Sequence, residues 1–194
     1  MCVVRVFLLD ALTSDDAIRE TIRQTLEAEC AARGWDLDTM TLESADIAHC
    51  LGCFNCWTRT PGVCIQDDDG RKVLKGMVQS DIVVTVSPVL FGCYSYLMKR
   101  AIDRIIGAVL PFFTRVHGET HHPPRYDKTP CLLAIGIMKQ HDSEEETVFR
   151  ELIERNAING HYSKHIAEIL TCDMDGDEIV GRIRESISSL EVAA

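Results

Sequence analysis

Cys50, Cys53, Cys56 and Cys64 stand at C-x2-C-x2-C-x7-C spacing, four thiols within fifteen residues. Thiolates this close in sequence can reach one metal centre from a single loop. Gly52, Pro61 and Gly62 lie among them and supply the turns that let sulfurs converge. A run of three thiols at two-residue spacing suits a [4Fe–4S] cluster, in which each iron takes one sulfur ligand from the protein. Zinc also accepts four thiolates, more often from two separated C-x2-C pairs. Free or redox-active thiols are the third reading of the same residues.

A second stretch, residues 87–104, reads SPVLFGCYSYLMKRAIDR. Pro88 is expected to end a strand, Gly92 to permit close backbone approach, and a helix to begin near Ser95. A planar ring could rest on Val89, Leu90 and Phe91, with backbone N–H groups meeting its edge. The plainer reading is an apolar loop that covers the edge of a sheet. A third stretch gathers Arg115, His117, His121, His122 and Arg125. It could neutralise a phosphate or cover a ring from a neighbouring subunit; otherwise it is a solvated loop. Residues 173–178 lack the spacing of a calcium loop and read as a turn before a helix. Asp67-Asp68-Asp69-Gly70 reads in the same way. Cys2, Cys30, Cys131 and Cys172 fall in expected core elements, as small hydrophobes.

The elements that must position these residues follow from periodicity. Residues 3–9 form an apolar run, as in a strand buried on both faces. Ser14 is the expected N-cap of the next helix, with Asp15 and Asp16 at its positive end. Ile18, Ile22, Leu26 and Cys30 recur every fourth residue on its apolar face, and Gly34 stops it. Further strands are expected at 37–42, 82–86, 131–138 and 166–170. Helices are expected around 73–78, over 94–110, from a capping box at Ser143 to about 159, and over 178–190. Strand and helix alternate throughout. This predicts an α/β fold with a five-stranded parallel sheet in the flavodoxin-like order 2-1-3-4-5, in three layers. The switch point between strands 1 and 3 then puts the loops after strands 1, 2, 3 and 4 on one functional edge.

Length and composition fit one domain over residues 1–194, with 46% hydrophobic residues and a formal net charge of -10. That charge argues against nucleic acid and anionic membrane as partners. Nine cysteines, an odd number, and no basic leader point to a reducing cytoplasm.

Pro88, Gly92, Ser95, Lys99, Asp103 and Arg104 together resemble the Pro-x3-Gly-x2-Ser-x3-Lys…Asp-Arg pattern of the NAD(P)H-dependent FMN reductase group of the flavodoxin superfamily. The stretch from Cys50 to Gly70 looks like the iron–sulfur flavoprotein branch of that group. The resemblance implies FMN as cofactor and NADH or NADPH as co-substrate. It implies a [4Fe–4S] cluster on Cys50, Cys53, Cys56 and Cys64, next to the flavin. By the same resemblance, Pro88, Val89, Leu90, Phe91, Gly92, Tyr94 and Ser95 face the flavin; at its phosphate, the helix start after the first strand offers free N–H groups and the Thr13 and Ser14 hydroxyls as donors. The implied activity is electron transfer to a small-molecule or protein acceptor, in a homodimer or homotetramer.

The loop after the first strand departs from the group's pattern. It has no glycine and no base. Asp10, Asp15 and Asp16 would each repel a phosphate by roughly 1 kcal/mol at 4 Å in water. A flavin-free electron carrier or redox sensor, or a zinc clamp on the cysteine loop, are the rival readings.

Overall fold

The computed structural model describes residues 3–14 and 16–190. Cys2 and Asp15, named above, lie outside the described residues. Five strands carry the sheet: β1 (Arg5–Asp10), β2 (Asp36–Thr41), β3 (Ile82–Leu90), β7 (Cys131–Met138) and β8 (Lys164–Thr171). They pair in parallel in the order β2-β1-β3-β7-β8. Counting these five in sequence, this is the expected 2-1-3-4-5 order. The central strands are apolar and β-branched because helices cover both of their faces. β7 is buried along its whole length.

One face carries α1 (Arg19–Arg33) and α6 (Gly176–Leu190). Their Ile22, Leu26, Ile183 and Ile187 pack on Val6, Leu8, Val84 and Leu133. The other face carries α3 (Gly70–Gln79), α4 (Tyr96–Ile102) and α5 (Ser143–Asn159). There Val73, Met98, Phe149 and Ile153 pack on Phe7, Leu9, Val83 and Leu132. Burying a side chain of this size contributes about 1.5–3 kcal/mol, so the two helical layers hold the sheet between them.

Several expected boundaries move, each for a local reason. Ser14 does not cap α1, which starts at Arg19 behind Ile18. The intervening residues turn instead, with the Asp16 N–H donating to the Thr13 carbonyl at 3.2 Å. β3 runs through Pro88 to Leu90 rather than stopping before it. Past Val86, β1 no longer flanks β3, and proline is tolerated on such an edge. α5 is capped by Asp142, whose side chain accepts from the Glu144 and Glu145 amides, not by Ser143. The helix expected over 94–110 is only α4, followed by a 3-10 turn at Ile105–Ala108. A small antiparallel hairpin, β5 (Thr114–Val116) with β6 (Glu119–His121), occupies the loop expected to be irregular. Cys30 and Cys131 are buried as expected, whereas Cys172 is exposed, just beyond the end of β8.

Candidate functional site

The loop after β2 wraps the four cysteines around one small pocket. Cys50, Cys53, Cys56 and Cys64 all line it, together with Gly52, Phe54, Ile65 and Arg104. Side-chain hydrogen bonds hold the loop's carbonyls. The His49 carbonyl accepts from Gln66 at 3.0 Å and the Cys64 carbonyl from Arg71 at 2.8 Å. A short helix, α2 (Asn55–Thr58), carries Cys56. Trp57 anchors that helix by donating its indole N–H to the Ile106 carbonyl at 3.0 Å. Gly62 lies at φ +81°, and a side chain there would meet the Tyr126 hydroxyl at 2.6 Å. The turn therefore needs glycine on two counts.

The thiols sense one another. Burial pushes the Cys56 thiol up, and Cys64, Cys50 and Cys53 add to the effect. The Cys53 thiol is held down, chiefly by the Asn55 backbone N–H; the Asn55 amide group also donates to its sulfur at 3.3 Å. Donor type and shared pocket thus fit a thiolate-ligated metal. In this arrangement the side chains are not drawn together: among the described residues, no group of three or more His, Cys, Asp or Glu is placed to hold a metal ion.

Beneath the cysteines, Asp68 and Arg104 form the most buried ion pair of the site. Arg104 Nη1 and Nη2 donate end-on to the two Asp68 oxygens at 2.7 and 2.8 Å. Nη1 also donates to the Ala48 carbonyl at 2.6 Å. Asp68 in turn accepts the amides of Ala48 and Gly70, each at 3.0 Å. Burial alone would raise the Asp68 carboxyl, but Arg104 and these amides outweigh it and hold it below the usual carboxylate range. The Asp-Arg pair at 103–104 was legible only as a pattern match. Leu97, Ala101 and Arg104 sit at i, i+4 and i+7, so the spacing placed an arginine on the buried face.

The expected ring loop is a tight hairpin. β4 (Cys93–Tyr94) pairs antiparallel with the end of β3, with Val89 opposite Tyr94 and Leu90 opposite Cys93. Its two turn residues, Phe91 and Gly92, carry φ of 53° and 70°. Positive φ at both positions is what the right-handed twist of a two-residue hairpin requires. At Phe91 it costs roughly 1–2 kcal/mol, because a side chain crowds the backbone there. Phe91 is nonetheless 93% exposed, and Leu90 and Tyr96 beside it are half-exposed or more. The other residues of the loop turn inward. Val89 is buried. The Tyr94 ring packs edge-on against Phe149, and its hydroxyl accepts from Asn156. Ser95 donates its amide to the Ser87 hydroxyl oxygen at 2.9 Å. A side chain at Gly92 would strike Val148 of α5 at 2.6 Å. The exposed strip of Leu90, Phe91 and Tyr96 suits the face of a planar ring.

The loop after β1 does not suit a phosphate as it is folded. Asp16 takes both donors of Thr13, the amide at 2.6 Å and the hydroxyl at 3.0 Å. Asp10 is buried, accepts the Leu12 amide at 2.9 Å and pairs with Arg19 at 2.9 Å. The Ser14 amide points to the Glu43 carboxylate at 3.3 Å. Carboxylates of the chain itself hold the groups that an incoming anion would use.

The histidine-rich loop is tied down by its own contacts. His121 is buried between Asn159 and Glu119, at 2.9 and 3.1 Å. His122 Nδ1 faces the Phe112 carbonyl at 2.8 Å, and Arg125 donates to the Gly107 carbonyl at 2.8 Å. His122 also completes an aromatic series that starts in the cysteine loop. Ring centroids lie 5.0 Å apart for Phe54–Trp57, 4.8 Å for Trp57–His122 and 5.1 Å for Phe113–His122.

Comparison with known proteins bears on this arrangement. Among curated proteins, the chain is 30% identical over 74 residues to an "Iron-sulfur flavoprotein" of Methanosarcina thermophila, covering 38% of each chain. It is 32% identical over 81 residues to an "Iron-sulfur flavoprotein" of Archaeoglobus fulgidus, 42% of this chain and 39% of that one. The matched stretches thus span about two fifths of these relatives' length. Among solved structures, an NAD(P)H:quinone oxidoreductase from Methanothermobacter marburgensis superposes with a TM-score of 0.72 at 12% identity, over 100% of this chain and 98% of that one. An FMN-dependent NADH-azoreductase from Bacillus anthracis str. Ames Ancestor, in complex with FMN, superposes with a TM-score of 0.62 at 11% identity, over 96% and 97%. At such identities the superpositions establish a shared flavodoxin-like fold. The family model described as NADPH-dependent FMN reductase matches residues 4–143, from the start of the sheet to the first residue of α5, and the chain belongs to that family.

Proposed function

We propose that the protein is a flavin-dependent oxidoreductase that draws reducing equivalents from NADH or NADPH. It delivers them to a small-molecule or protein acceptor. The observation that carries this reading is the family match, because residues 4–143 include both the hairpin edge and the cysteine pocket. FMN, when bound, supplies hydride acceptance and one-electron release. The chain's own part is to present the apolar strip of Leu90, Phe91 and Tyr96, shaped by Pro88, Val89, Gly92, Tyr94 and Ser95. Thr13 and Ser14 are the groups for the phosphate end, and Asp16 must release Thr13 for that contact to form.

Cys50, Cys53, Cys56 and Cys64 would hold a [4Fe–4S] cluster. The spacing, the shared pocket and the names of the two relatives support it. All eight described cysteines are unpaired, which agrees with work in a reducing cytoplasm. A homodimer or homotetramer completes the proposal. The test is the absorption spectrum and metal content of anaerobically purified protein. Two resolved visible bands, with iron and sulfide in equal amounts, support it. Stoichiometric zinc without sulfide replaces the cluster with a structural clamp.

One observation favours a second reading. The carboxylates of Asp10, Asp16 and Glu43 fill the loop where a flavin phosphate would lodge. A flavin-free electron carrier on the same scaffold would keep the cysteine pocket and lose the flavin bands.

A further inference from the structure

Arg104 is built into the cysteine pocket in a way that its ion pair with Asp68 does not explain. Its side chain is fully buried, and Asp68 takes only the Nη1–Nη2 end of the guanidinium. The Nε–H is buried and meets no hydrogen-bond partner among the described residues. A buried donor left without a partner on a charged group is unfavourable. Arg104 lines the pocket with the four cysteines, and Asp68 does not. The guanidinium stays protonated, as arginine does in proteins, and the Asp68 carboxylate further stabilises its charge against burial. The guanidinium thus borders the cysteine pocket, while the carboxylate that holds its Nη1–Nη2 end does not line it. The fold also reserves space for this contact. A side chain at Gly70 would meet the guanidinium carbon at 2.8 Å. The helix α4 ends at Ile102 and the chain re-forms as a 3-10 turn, with Arg104 in the break.

We propose that Arg104 is the buried counter-charge of the cysteine pocket, and that it sets the reduction potential of the group held there. The inference rests on the cluster reading above. Four thiolates on a [4Fe–4S] core in its oxidised, doubly positive form carry two net negative charges. Uptake of one electron from an external reductant makes that three, with no bond made or broken. A buried cation beside the sulfurs stabilises the more negative form, and hydrogen bonds to sulfur act in the same direction. Arg104 is a positioning and tuning residue in this account, and it transfers nothing itself.

The experiment compares three proteins, each reconstituted anaerobically with ferrous iron and sulfide. They are the wild type, Asp68→Asn, and the double variant Asp68→Asn/Arg104→Gln. Iron content shows loading, circular dichroism shows folding, and a redox titration followed by electron paramagnetic resonance gives the midpoint. Asp68→Asn leaves the guanidinium uncompensated, so its midpoint should rise above wild type. The double variant removes both charges and keeps a neutral polar pair, so its midpoint should fall. At a fixed potential near the wild-type midpoint, each change should alter the ratio of reduced to oxidised cluster about tenfold. That is about 59 mV for one electron. Opposite shifts from two neighbouring substitutions are not the outcome of a merely structural role. Should Asp68→Asn fail to fold, the downward shift of the double variant decides alone. Equal midpoints in loaded proteins, or shifts of the same sign, overturn the proposal and leave the cluster reading standing. A wild type that takes up no iron overturns both.

Discussion

The Asp16 carboxylate closes on Thr13 and takes both its amide and its hydroxyl, at 2.6 and 3.0 Å. A bound phosphate would need donors of this kind after β1, where a helix start and its preceding loop form an anion site. The chain has supplied its own anion. Asp10, pinned by Arg19, and Glu43, near the Ser14 amide, deepen the negative field around it.

Asp16→Ala frees both Thr13 donors and removes one charge. Its affinity for FMN should rise roughly tenfold or more, since about 1.4 kcal/mol is a factor of ten. Asp16→Asn should gain less, because its amide oxygen can still accept from Thr13. The gain should shrink in high salt, as Asp16 is only half-buried. Fluorescence quenching of FMN by the apo-protein measures each value.

The hairpin tip separates stability from ring contact. Gly92→Ala combines a positive φ with a clash on Val148. It should lower Tm by roughly 2–8 °C, from a cost of about 1–2 kcal/mol. Phe91→Gly relieves the strained φ and exposes no core. It should raise Tm slightly or leave it unchanged, the relieved strain being partly offset by glycine's extra unfolded-state freedom, and weaken FMN roughly two- to tenfold, the worth of one aromatic contact of about 0.5–1.5 kcal/mol. Thermal melts and FMN titration of the two variants check the split.

Acid should loosen the cysteine loop through Asp68. Its folded pKa is depressed, so the stability it contributes is fully present above the unfolded value of about 3.9. That stability drains away as pH falls from there through the lower folded value. Denaturant midpoints of wild type and of Asp68→Asn/Arg104→Gln should therefore converge below about pH 4. A constant gap from pH 7 downwards would mean that the carboxylate keeps the same proton affinity when folded.

If the cluster is held as proposed, Cys56→Ser should lose most of the iron and the broad visible absorption of a cluster while the far-ultraviolet dichroism stays native. Cys56 lies on α2, outside both hydrophobic layers of the sheet. Iron analysis and absorption near the cluster shoulder give the result.

The sheet was legible because its buried strands are near-continuous apolar runs, and alternation with amphipathic helices leaves few topologies. Residues 131–138 matched β7 at both ends. Helix starts were less legible. Ser14 has the right chemistry for a cap, yet Asp16, two residues on, competes for the same loop donors. α4 broke early because Arg104 is pulled toward Asp68 and Ala48, a long-range contact that helical periodicity does not encode. The cysteine spacing announced the metal-type pocket. The buried ion pair beneath it was hidden in what read as a turn at Asp67–Gly70. The histidines looked available in sequence because the His121 partner, Asn159, lies on α5, and the His122 partner is a backbone carbonyl, that of Phe112, which carries no signal in residue type.

One measurement tests flavin-dependent electron transfer by this protein directly. Anaerobically purified protein, supplemented with FMN and freed of excess, is scanned in the visible before and after addition of NADPH or NADH. Two resolved flavin bands should appear, bleach on addition of the nucleotide and return with air. A chain that retains no FMN even from millimolar solution, and whose spectrum does not respond to either nucleotide, would contradict flavin-dependent electron transfer.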